Sequence, residues 1–91
     1  MVEIEFTYNG KNIIIQCKKE EKMEDIIKRF MNKENIKKDK LFFIYSGNNI
    51  DTNLKYEELV NEEDKKRNKL NILVYDINDN NIIKNTIIKY P

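Results

Sequence analysis

Residues 2–17 read VEIEFTYNGKNIIIQC, and this stretch decides the fold. Apolar and polar side chains alternate on both sides of Asn9-Gly10, which is typical of two half-buried strands joined by a tight turn. A two-residue type I′ turn at Asn9-Gly10 would set every cross-strand pair, because the pairs are counted outward from the turn. The predicted pairs are Tyr8 with Lys11, Phe6 with Ile13, Ile4 with Ile15 and Val2 with Cys17. This register places the apolar groups of both strands on one face.

The period of the apolar residues changes after the hairpin. They now recur at helical spacing, at Met23, Ile26, Ile27, Phe30 and Met31. Charged and polar residues fill the other side, so the segment predicts an amphipathic helix of about three turns that buries its apolar stripe against the sheet. No Ser, Thr, Asp or Asn stands at the cap position, Lys22, so we expect the start of the helix to fray.

The second half of the chain predicts two more strands. Residues 41–45, LFFIY, are apolar throughout and are followed by the turn signal of residues 46–49, SGNN. Residues 69–76 alternate in character, with Leu70, Ile72 and Val74 on one face and Asn71, Leu73 and Tyr75 on the other. Residues 61–68 are wholly charged or polar, and their alternating signs predict a solvated loop. The predicted order is hairpin, helix, strand, loop, strand.

The composition argues against several classes of function. Lys and Arg total 17 against 16 Asp and Glu, so a net charge of +1 provides no electrostatic footprint for nucleic acid or an anionic membrane. No apolar run approaches the ~20 residues that span a bilayer. Histidine, the commonest general base and metal ligand, is missing from the chain, and Cys17 is its one cysteine. We therefore expect no catalytic residues, no cofactor, no metal, and no nucleic-acid or membrane partner.

Cys17 and the end of the chain bear on compartment and domain organisation. One cysteine cannot form an internal disulfide, which fits a reducing compartment, so we expect a cytoplasmic or nuclear protein. Cys17 falls on the inner face of the hairpin, where an inert structural thiol is the expectation and a redox thiol the alternative. The composition changes at Ile77, which predicts one domain over residues 1–76 and a C-terminal extension or linker over residues 77–91.

The order of elements resembles that of ubiquitin and its relatives over roughly residues 2–76. NGKNIII at 9–15 is similar to the first turn and second strand of that family, MEDIIKRFMNKENI at 23–36 to its helix, and LFFIYSGNNI at 41–50 to its third strand and glycine turn. The resemblance implies an α+β, ubiquitin-like β-grasp fold (ββαββ), a mixed β-sheet packed on one α-helix with the first and last strands side by side. Glycine occurs only at Gly10 and Gly47, so the resemblance is to the non-conjugating type without a C-terminal diglycine.

The third and last strands break the rule that residues pointing away from the core are polar. With Leu41, Phe43 and Tyr45 facing the helix, Phe42 and Ile44 point to the open side of the sheet. The resemblance makes the last strand their neighbour, which adds Leu73 and Tyr75. An exposed apolar patch with a polar rim usually marks an interaction site. The resemblance implies that Ile44, Gly47 and Leu73 occupy positions of the family's recognition patch, and that Tyr8 is a looser counterpart of another. The predicted protein-binding residues are Tyr8, Phe42, Ile44, Gly47, Leu73 and Tyr75.

These observations lead to a hypothesis of a non-catalytic ubiquitin-like module that binds partner proteins through this patch. The resemblance implies partners of the ubiquitin-receptor or proteasome type. The alternative is a structural subunit or scaffold domain whose patch is permanently buried in an assembly. A third reading, an inactive precursor of a modifier, needs the diglycine that the sequence lacks.

Overall fold

The computed structural model describes residues 1–37 and 41–76. It contains five strands and three helices: β1 (Val2–Tyr8), β2 (Lys11–Cys17), α1 (Met23–Lys33), β3 (Leu41–Tyr45), β4 (Asn48–Asn49), α2 (Tyr56–Leu59), α3 (Glu62–Arg67) and β5 (Lys69–Asp76). The extension predicted for residues 77–91 lies outside the described residues.

The hairpin forms with the predicted register. Tyr8 pairs with Lys11, Phe6 with Ile13, Ile4 with Ile15 and Val2 with Cys17. Asn9 and Gly10 both take positive φ angles, of 50° and 78°, as a type I′ turn requires. The turn residues therefore select the register, and the register places the apolar side chains on the inner face.

The five strands form one mixed sheet in the order β2-β1-β5-β3-β4. β1 and β5 are parallel, whereas the pairs β1–β2, β3–β5 and β3–β4 are antiparallel. β5 lies between β1 and β3, which confirms that the first and last strands are neighbours. The predicted α+β class with a mixed sheet and a helix on one face is also confirmed.

The core lies between α1 and one face of the sheet. Met23, Ile26, Ile27 and Phe30 of α1 are buried there together with the inward residues of β1, β2 and β5. The Phe30 ring stacks on Phe6 with centroids 4.3 Å apart and meets the edge of Phe43 at 6.3 Å. These contacts confirm the helical stripe predicted from the spacing of the apolar residues.

Backbone groups outside the helix hold the first turn of α1. Lys22 makes no side-chain capping hydrogen bond, as predicted. Instead, the N–H of Met23 donates to Leu54 O at 2.8 Å and the N–H of Glu24 donates to Thr52 O at 3.0 Å. Two helix N–H groups that lack partners within the helix are thereby satisfied. These hydrogen bonds oppose the expected fraying, and they come from residues that are distant in the sequence.

The prediction of a solvated loop over residues 61–68 is wrong, because Glu62–Arg67 form α3. The side chain of Asn61 caps this helix by accepting from the N–H of Asp64 at 2.8 Å. Acidic residues occupy its first turn and basic residues its last, which suits the helix dipole. Asp64 is buried, so α3 is anchored to the domain.

Candidate protein-binding site

The open face of the sheet carries four large apolar side chains in two cross-strand pairs. Phe42 of β3 lies opposite Tyr75 of β5, and Ile44 lies opposite Leu73. The exposed fractions are 37% for Phe42, 38% for Leu73 and 51% for Tyr75, while Ile44 is half-buried. We call Phe42, Ile44, Leu73 and Tyr75 the apolar patch. The sequence placed all four on this face, and the structure brings them together.

Among the described residues, neutral polar groups flank the apolar patch on β4 and on β1. Asn49 of β4 pairs with Ile44 and lines a shallow depression together with Phe42, Ile44 and Tyr75. On the other side Thr7 of β1 pairs with Leu73. A partner that contacts the patch therefore meets hydroxyl and amide groups in these two neighbouring strands. Sequence reasoning missed Asn49, which it placed in a turn, because β4 has only two residues.

The other half of the open face, on β1 and β2, carries Ile14 and a group of polar side chains that are hydrogen-bonded to one another. The Asn71 amide Nδ2 donates to Glu5 O and to Thr7 Oγ1, each at 3.0 Å. The Thr7 hydroxyl donates to Asn12 Oδ1 at 2.9 Å. We call Glu5, Thr7, Asn12 and Asn71 the polar network. Its hydrogen bonds are made within the sheet.

Two of the predicted binding residues lie elsewhere. Tyr8 has the same strand parity as Phe6, so its ring lies on the helix-covered face and meets the edge of Phe30 at a centroid distance of 6.0 Å. It is not part of the apolar patch. Gly47 lies in the turn between β3 and β4 with φ of 83°, and a Cβ built there would meet nothing within 4 Å. Its role is conformational, because L side chains rarely adopt this φ.

Two local features hold the end of β3 and therefore the orientation of the patch. Ser46 and Gly47 form a second turn with two positive φ angles, 53° and 83°, which pairs β4 with β3. The Tyr45 hydroxyl donates to Asp64 Oδ2 at 2.6 Å and accepts from the N–H of Asn61 at 3.1 Å. Burial raises the pKa of Tyr45 to about 12, so the phenol keeps the proton that it donates. These contacts tie β3 to α3.

The chemistry of Cys17 fits a structural role. The thiol is buried, and burial raises its pKa to about 11. A thiol with so high a pKa is almost wholly protonated near neutral pH and is a poor nucleophile.

Among residues 1–37 and 41–76, no three His, Cys, Asp or Glu side chains are grouped so that they could hold a metal ion. No helix within the same residues is long and apolar enough to cross a membrane.

The fold and the pairing of the strands define a β-grasp fold of the ubiquitin-like type. No family model and no curated protein matches the sequence. Among solved structures, the chain is similar to the crystal structure of ATBAG1 in complex with HSP70, with a TM-score of 0.67 and 11% sequence identity. The alignment covers 98% of this chain and 49% of that one, so the chain spans about half the length of this neighbour. At this identity the similarity concerns the fold.

Proposed function

We propose that the chain is a non-catalytic, ubiquitin-like module that binds partner proteins through the apolar patch. The observation that carries the proposal is the pairing of Phe42 with Tyr75 and of Ile44 with Leu73 on the face opposite α1. Three of these side chains remain more than a third exposed, and a contiguous exposed patch of this kind is typical of an interaction site. Tyr and Phe are also enriched at the centres of protein interfaces.

The partner that we propose is a ubiquitin receptor or a proteasome component, with the cytoplasm or nucleus as the compartment. The class of partner is proposed from the ubiquitin-like fold and from the agreement of Ile44 and Leu73 with the recognition positions that the family resemblance implies. The compartment is proposed from Cys17, the one cysteine of the sequence, which fits a reducing environment. ATBAG1, whose structure contains the same kind of fold, was crystallised in complex with HSP70, which supports a protein partner in general.

The absence of catalysis is proposed from the side chains themselves. The chain has no histidine, and its one thiol is buried with a raised pKa. Acyl transfer and hydrolysis require an activated nucleophile and an adjacent base. The Cys17 thiol is not activated, and the sequence offers no histidine to act as its base.

An NMR titration tests the proposal. The full chain, labelled with ¹⁵N, is titrated with the ubiquitin-binding region of a proteasomal ubiquitin receptor. We expect reversible binding with a dissociation constant on the order of micromolar, and amide shifts centred on Phe42, Ile44, Leu73 and Tyr75. Shifts centred on α1 or on the polar network would contradict the proposed surface. Absence of any shift would contradict this class of partner.

The same titration separates the alternative, a structural subunit. A permanent subunit would bury its patch in an obligate assembly, with an interface on the order of 2,000 Å² or more and no measurable exchange. Fast exchange between free and bound states would contradict the subunit.

A further inference from the structure

A second surface, separate from the apolar patch, lies along the outer edge of β2. β2 ends the sheet at one side, and among residues 1–37 and 41–76 its one strand neighbour is β1. In a two-residue hairpin, the pair next to the turn and every second pair beyond it exchange hydrogen bonds. Counting from Tyr8–Lys11, the peptide groups of Ile13 and Ile15 point to β1. Those of Asn12, Ile14 and Gln16 therefore point away from the sheet, where a further strand could pair.

Two cationic side chains of α1 occupy carbonyls on this edge. Arg29 Nη2 donates to Gln16 O at 3.1 Å, and Lys33 Nζ donates to Ile14 O at 3.4 Å. The spacing of the two elements matches, because four residues of helix rise about 6 Å and two residues of strand about 6.6 Å. Arg29 is held in place by the Glu21 carboxylate, which accepts from both of its terminal nitrogens. The two α1 side chains thus already donate to carbonyl groups that a further strand would need as hydrogen-bond acceptors.

The exposed edge is complementary to a second copy of itself. If two β2 strands pair antiparallel about Ile14, that residue faces its own copy and Asn12 faces Gln16. The same register sets Lys11 opposite Cys17, so no like charges face each other. The Ile14 side chain is 42% exposed and would be covered by its copy. Unpaired edge strands with these properties are templates for strand addition, and natural proteins protect them with charged side chains.

We propose that Arg29 and Lys33 form a gate that prevents the β2 edge from pairing with the β2 edge of a second copy of this chain. The gate acts by occupying the carbonyls of Gln16 and Ile14. Opening it requires the loss of both side-chain hydrogen bonds in each copy. Removing the two cations leaves the strand free to continue the sheet across a two-fold axis at Ile14.

Sedimentation equilibrium of the full chain tests the gate. Arg29→Ala/Lys33→Ala is compared with the unchanged protein and with Lys28→Ala/Lys37→Ala, which removes the same charge from two exposed lysines. We expect self-association of the first variant to be at least about tenfold stronger than that of the other two. Hydrogen exchange should show the Ile14 and Gln16 amides becoming protected as the concentration rises. Adding Ile14→Lys to the first variant should restore the monomer, because two lysines would then face each other.

Three results would overturn the gate. The first is a folded Arg29→Ala/Lys33→Ala protein, by circular dichroism, that stays monomeric up to about 1 mM. The second is equal self-association of the lysine control, which would make net charge the cause. The third is a dimer that persists with Ile14→Lys, which would place the contact on another surface.

Discussion

The two faces of the sheet receive similar side chains from the same strands, and they differ in what lies over them. β3 directs Phe43 to the helix-covered face and Phe42 to the open face, and β5 does the same with Ile72 and Leu73. Ile72 is fully buried, whereas Leu73 is 38% exposed. The difference teaches that residue type alone does not assign a role. α1 makes one face a core, whereas α1 does not cover the other face, on which the apolar patch lies.

The same substitution on the two faces should have very different effects on stability. Phe30→Ala removes a ring with no exposure that stacks on Phe6 and touches Phe43, so we expect it to cost about 3–5 kcal/mol of unfolding free energy. Phe42→Ala removes a ring that is 37% exposed, so we expect about 1 kcal/mol. Urea unfolding followed by circular dichroism measures both. Equal costs would mean that the two faces are not distinguished by burial.

The next largest effect on stability should come from removing the hydroxyl group of Tyr45, on the helix-covered face. Tyr45→Phe keeps the ring but removes the hydroxyl that Asp64 and Asn61 share, so we expect a cost of about 1–3 kcal/mol near neutral pH. The hydrogen bond from Tyr45, helped by the Arg67 guanidinium, lowers the pKa of Asp64 in the folded protein. Stability from a lowered carboxyl pKa is present above the unfolded pKa and is lost as the pH falls through the folded value.

The cost of Tyr45→Phe should therefore shrink as the pH falls from 7 through the lowered pKa of Asp64, because a protonated Asp64 no longer accepts the hydrogen bond as a carboxylate. Unfolding at several pH values gives the two curves. A cost that stays constant over this range would show that the charge of Asp64 does not contribute to the link between β3 and α3.

Most of the framework could be predicted from local patterns. The Asn9-Gly10 turn determines the register of the hairpin, and strand alternation assigns the faces of β5 because side chains alternate every residue. α3 could not be read from apolar periodicity, since Glu62–Arg67 contain no apolar residue. The available signal was chemical: Asn61 at the cap, then acidic residues, then basic ones. Its anchor, the contact between Tyr45 and Asp64, joins residues far apart in sequence.

The candidate site was predictable to the extent that it depends on strand parity. Phe42, Ile44, Leu73 and Tyr75 follow from alternation once β3 and β5 are neighbours, and that adjacency came from the family resemblance. Tyr8 was included by analogy with a family position, and its own parity with Phe6 pointed to the helix side. The polar network was not foreseen, because its members come from three strands whose alignment only the folded sheet provides.

A smaller effect should come from the turn that carries the patch. Ser46 has φ of 53° and Asn9 has φ of 50° at the same place in the other hairpin. Asparagine tolerates this conformation better than serine, so Ser46→Asn should stabilise the domain by about 0.5 kcal/mol. Asn9→Ser should destabilise it by a similar amount. Thermal unfolding of the two variants measures the difference, and a loss of stability in Ser46→Asn would show that the Ser46 side chain contributes something beyond its backbone angle.

The most direct test of the account replaces Leu73 by Asp. An outward side chain can ionise in water, so we expect the unfolding free energy to change by less than about 1 kcal/mol. Binding of the proteasomal ubiquitin receptor should weaken at least about tenfold, because a charge would be buried at the centre of the contact. Ile14→Asp is the matched control, since Ile14 is 42% exposed on the same face but outside the apolar patch. Normal binding by a folded Leu73→Asp protein, or its failure to fold, would contradict the division of the sheet into a core face and a binding face.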